Sequence, residues 1–125
     1  MKYALTTFLL LITINAHAQF SHKAVQAYTN EVVESVQGYI DNTGESEEDY
    51  PYTTIKVNES MNFSSVRTMV GLITKSYSDV NVFQSWKKNN EWYEYWVVVG
   101  NTPVVLGYNP KINVIMIIKH PKNTK

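Results

Sequence analysis

The chain has 125 residues, 44% hydrophobic and 18% charged, with eleven basic against eleven acidic side chains and a net charge of zero. Balanced charge excludes a strong field for a polyanion, so no nucleic acid is expected as a partner. The lack of cysteine excludes disulfides, thiolate metal sites, a cysteine nucleophile and a lipid-anchored cysteine terminus, leaving a 13% aromatic content to supply buried area.

The first eighteen residues read as an export signal. Lys2 gives a short positive region, Leu5 to Ile14 an apolar core, and Ala16-His17-Ala18 a small-x-small cleavage site. That core is about half the roughly 20 residues needed to span a bilayer, so no membrane span is expected after cleavage. Removal of 1–18 leaves 107 of the 125 residues, Gln19 to Lys125, as one small soluble domain. The expected destination is a periplasm or the medium. Along that domain the charge divides. Gln19 to Asn62 carries eight acids against two lysines, and Phe63 to Lys125 carries eight bases against three acids. The division predicts one acidic and one basic rim.

Ser21 can cap a first helix, with Phe20 and Val25 as a hydrophobic staple. Val25, Tyr28, Val32, Val36 and Tyr39 recur every three or four residues and form one apolar stripe, ended by Gly38 or Gly44. Residues 41–49 are polar, acidic and glycine-containing, and read as an exposed loop. Their acids could be hard oxygen ligands, but Gly44 follows Asp41 by three residues rather than the five of a calcium-binding loop. No metal is expected. Thr53 to Val57 alternates and predicts a short edge strand. Asn62 or Ser64 caps a second helix with Val66, Met69, Val70, Ile73 and Tyr77 inward and Arg67, Thr74 and Lys75 outward. Gly71 would mark close packing on the sheet.

The remainder is a meander. Val80–Lys88 and Glu91–Val99 are strands around an Asn89-Asn90 turn, which makes the numbers of paired residues sum to 179. One face then holds Trp86, Tyr93, Tyr95, Val97 and Val99, and should meet the helices. The other holds Phe83, Lys87, Trp92, Glu94 and Trp96 and is half wet. Two further turns, at Gly100–Pro103 and Asn109–Lys111, lead to strands Val104–Tyr108 and Ile112–Ile118. The last is apolar on both faces, so it should be covered twice or pair with a partner, which would be a route to self-association.

The fold class is therefore α+β. Two amphipathic helices pack on one face of a four- to five-stranded antiparallel meander, in the order α-β-α-β-β-β-β. That order resembles the cystatin-like and NTF2-like arrangement, in which a cone-like sheet curls around a helix. The resemblance is one of order alone and implies a pocket between sheet and helices.

Catalytic signals are few. There is no G-x-S-x-G elbow, phosphate-binding glycine loop or H-E-x-x-H motif. Glu91 and Glu94 lie three apart on a strand, hence on opposite faces, and cannot act as an acid–base pair. The expected function is non-catalytic binding of another protein through Phe83, Lys87, Trp92, Glu94 and Trp96, in the manner of an inhibitor or immunity protein, with no cofactor. Rigid amphipathic aromatics are the residues interfaces favour. The competing reading is a small-ligand pocket protein or an enzyme without a short motif.

Overall fold

The computed structural model describes residues 23–45 and 50–119. Residues 1–22, with the expected signal peptide and the Ser21 cap, lie outside the described residues, as do 46–49 and 120–125.

Helix α1 covers 23–35 of the described chain, and Val25, Tyr28, Val32 and Val36 are buried along its stripe. It stops earlier than the periodicity predicts. Gln37 takes a left-handed φ of 53°, Gln37 N–H donates to Glu34 O and Gly38 N–H to Val33 O, both at 3.0 Å. This crossed pair is the Schellman stop, which satisfies two of the helix's last carbonyls. Tyr39 therefore falls in a strand and is exposed, off the stripe on which it was placed.

That strand, β1 (Tyr39–Glu45), occupies the first half of the expected acidic loop and pairs with β2 (Pro51–Lys56) as a hairpin. The sheet order is β1-β2-β6-β5-β4-β3, antiparallel throughout, where β3 is Val80–Asn89, β4 Trp92–Val99, β5 Thr102–Asn109 and β6 Val114–Lys119. Six strands thus replace the expected four to five, and the order becomes α-β-β-α-β-β-β-β. Two placements change with it. β2 is interior, not an edge. β6 has both edges hydrogen-bonded, to β2 and β5, so edge-to-edge self-association through Ile112–Ile118 is closed.

Helix α2 (Phe63–Ser76) starts at Asn62, whose side chain accepts from Ser65 N–H at 2.9 Å. Val66 and Val70 are buried as expected, but Thr74, placed outside by periodicity, is only 4% exposed. Its hydroxyl donates to Val70 O at 2.7 Å, so the proton of the 2.8 Å bond to Tyr28 Oη comes from the tyrosine. This pair joins the two helices inside the core, and Tyr77 closes on the Tyr28 ring edge-on at 6.0 Å. Gly71, expected to pack closely on the sheet, does not: nothing lies within 4 Å of where its Cβ would be.

One apolar cluster unites both helices with Ile55, Val57, Tyr95, Val97, Val99, Val104, Leu106, Tyr108, Ile115 and Ile117. Register places these strand residues on one face of the sheet, which both helices cover. At one end, Asn113 at φ 56° ties the β5–β6 turn to the segment after β2. It accepts from Tyr108 Oη at 2.6 Å and donates to Val57 O and Asn58 O.

Tyr28→Phe removes a buried donor and should cost about 1 kcal/mol of unfolding free energy in urea. Thr74→Val leaves the Tyr28 hydroxyl unpaired and should cost about 1–3 kcal/mol, with the double variant costing less than the sum. Burial raises the hydroxyl pKa of Tyr28, partly offset by the Thr74 bond, and raises that of Tyr108. Both are held neutral in the fold while the unfolded tyrosine titrates near 10. Their contribution is complete below about pH 10 and is lost above it, and the loss should be shallower in Tyr28→Phe. Separately, Gly71→Ala should raise stability by up to about 1 kcal/mol, because a helical glycine carries excess backbone freedom and no neighbour opposes the methyl at this half-buried position.

Candidate functional site

Because both helices lie on one face, no described element covers the other. Alternation sends Trp92, Glu94 and Trp96 of β4 to this outer face, while Tyr93 and Tyr95 turn inward against Phe63 and Trp86. Trp86 stacks on Tyr95 at 4.8 Å and meets Phe63 edge-on at 5.6 Å, so it belongs to the core boundary.

β3 reaches the outer face by a route the turn chemistry did not predict. The turn is Asn90-Glu91, one residue later than expected, with Asn90 at φ 60°. Paired numbers sum to 181 at Asn89↔Trp92, to 180 at Gln84↔Trp96 and to 179 at Val82↔Val97. Two β-bulges take up the difference, one on either side of Gln84. The expected pairs Phe83–Trp96 and Lys87–Trp92 are therefore not in register, and Lys87 faces Glu94 instead. The five residues still share one surface. Phe83, at 73% the most exposed large apolar side chain among the described residues, keeps its ring 6.5 Å from that of Trp96. Lys87 is exposed, and Trp92, Glu94 and Trp96 are half-buried.

The two indoles are held in different ways. Trp96 Nε1 donates to Glu94 Oε1 at 3.3 Å, and Asn89 Nδ2 donates to Glu94 Oε2 at 3.1 Å. Glu94 is thus an orienting group that fixes the Trp96 indole. Trp92 is accommodated by the next strand: a Cβ at Gly107 would sit 3.1 Å from Trp92 Cε3, so the missing side chain is what admits the ring. Across the sheet the surface continues through register neighbours, with Val105 opposite Trp96, Ile118 opposite Val105 and Tyr52 opposite Ile118. The sequence reading missed Asn89, Gly107 and this apolar row. The signal for the row was the double-faced apolar pattern of β5 and β6, readable only once the strand order is known.

On the opposite face, a cleft of about 470 Å³ opens beside α1, with Val25, Thr29, Ile40, Pro51, Ile117 and Lys119 in its lining. Burial lowers the pKa of the Lys119 ammonium. Among the described residues no three His, Cys, Asp or Glu side chains gather as metal ligands. Among the described residues no helix is long and apolar enough to cross a membrane.

No protein-family model, curated protein or solved structure matches the chain.

Gly107→Ala tests the seating of Trp92. The added methyl should displace the ring and shift the Trp92 indole N–H resonance, with a stability change of up to about 1 kcal/mol. An unchanged Trp92 resonance would mean the contact does not set the ring's position.

Proposed function

We propose that this protein is an exported, non-catalytic binding module that engages another protein through the outer face of its sheet. The observation that carries the reading is the fixed aromatic surface itself: Phe83, Trp92 and Trp96 share a face that no described element covers. Large aromatics with limited rotamer freedom lose little entropy on binding, and an exposed contiguous apolar patch marks an interaction site. Lys87, Glu94 and Asn89 add polar groups beside them. The export half of the proposal rests on the Lys2, Leu5–Ile14 and Ala16-His17-Ala18 pattern, and a mature chain beginning at Gln19 is its mass-spectrometric signature.

A second reading has one observation in its favour. The 470 Å³ cleft falls in the size range of small-molecule sites, about 300–1,000 Å³. Its ceiling is α1 and its floor β1, β2 and β6, so a small-ligand carrier would use the helix face and not the aromatic face.

The double variant Trp92→Ala/Trp96→Ala tests the first reading. Tagged protein is used to capture partners from the envelope and culture fluid of the producing organism, beside the variant. The expected outcome is a protein held by the parent and lost from the variant, whose circular dichroism and cooperative unfolding persist. Equal capture by both would remove the aromatic face from the function. A variant that no longer unfolds cooperatively would show the two rings to be structural.

A further inference from the structure

The sheet has two edges, β1 and β3, and they are protected unequally. β3 carries two bulges and presents Lys87 and Lys88, the usual devices against strand addition. β1 is exposed at all seven positions, and its register breaks once, between Ile40 and Asn42. Beyond that break Asn42, Thr43, Gly44 and Glu45 pair continuously with Thr54, Thr53, Tyr52 and Pro51. Their remaining backbone groups, directed away from β2, are those an added strand would use.

Directly inside this edge lies the cleft. Ile40, Thr43 and Glu45 contribute its rim from β1, Pro51 and Ile117 its apolar floor, and Val25 of α1 its apolar ceiling. A strand laid beside β1 sends every second side chain to the helix side of the sheet, toward that floor. The charge at this edge is one-signed. Asp41 and Glu45 lie on β1, and the sequence holds no lysine, arginine or histidine between Ala24 and Ile55. Lys119, the cation in the cleft lining, is on β6, two strands in from the edge.

We propose that Asn42–Glu45 is a receptor edge for an extended basic segment of another polypeptide, which joins the sheet as a seventh strand and sets alternate apolar side chains into the cleft. Lysine or arginine at the intervening positions points to the other face of the sheet and is held by the acidic field of Asp41 and Glu45, one strand spacing away and within a Debye length. A second copy of this chain is a poorer occupant: its own basic strand, β3, is broken by two bulges and cannot offer a continuous partner edge. This site lies on the opposite side of the sheet from Trp92 and Trp96 and stands or falls independently of the aromatic face.

The test uses a fluorescein-labelled Lys-Val-Lys-Val-Lys-Val-Lys peptide and the purified protein, read by anisotropy and by backbone amide NMR. Expected are saturable binding, amide shifts concentrated in Tyr39–Glu45 and the cleft, and roughly tenfold weaker binding for Asp41→Lys/Glu45→Lys. Alternate N–H groups of a strand point to opposite sides. N-methylating either the valines or the lysines should therefore abolish binding in one set and spare it in the other. The Glu-Val counterpart should not bind. Absence of binding at millimolar peptide, equal loss with both methylated sets, equal binding of the acidic peptide, or shifts centred on β3 or the Trp92/Trp96 face would each overturn the proposal. So would a peptide-independent dimer whose interface is β1.

Discussion

The architecture depends on the reversal at Gln37–Gly38. A side chain at position 38 would collide with the carbonyl of Lys56, so glycine alone lets the chain leaving α1 pass against β2. The preceding residue takes the left-handed conformation and ends the helix with its carbonyls bonded. From this one point the chain turns directly into β1. The hairpin with β2 can then form, and β2's other side is left to β6. Asn58 N–H donating to Val36 O at 3.3 Å fastens the end of the hairpin to the same corner. A helix continuing through Tyr39 would leave neither room nor register for the first two strands.

Covering one face with two helices has a second consequence. Only so much apolar area can be hidden beneath α1 and α2, and the strands hold more. The inner face takes Tyr95, Val97, Leu106, Ile115 and Ile117 into a single cluster. The outer face is left to stabilise its aromatics laterally. Glu94 and Asn89 restrain the Trp96 indole through charge-assisted bonds, and Gly107 yields the space that Trp92 fills. Rings restrained in this way are held in place by the sheet itself, with no cover from either helix.

The two bulges of β3 connect this surface to the edges. Each inserts a residue without a partner, and together they bring an Asn90-Glu91 turn into agreement with the Val80↔Val99 pairing at the far end. They also roughen the β3 edge, which β1 beyond Asp41 is not. A sheet with one guarded edge and one regular acidic edge is directional, and the charge division between the halves of the chain runs the same way.

By itself the sequence determined the features that local periodicity dictates. It specified the inward stripe of α1 as far as Val36 and Val66 and Val70 of α2, narrowed the α2 cap to Asn62 or Ser64, and fixed the alternation that separates Trp92, Glu94 and Trp96 from Tyr93 and Tyr95, and the α+β class. These are near-neighbour effects, in which side-chain direction is set by position in the repeat. Tertiary structure decided the rest. Tyr39–Glu45 has a polar, glycine-containing composition that reads as a loop, and it became a strand because β2 supplies a ladder of backbone bonds indifferent to side-chain type. Thr74 was drawn inside by the Tyr28 hydroxyl, 46 residues away in sequence. The position of β6 in mid-sheet closed an edge that its composition left open, and the bulges reset which residues face Trp92 and Glu94. Each depends on a partner distant in sequence, and local pattern carries no record of which distant strand a residue will meet.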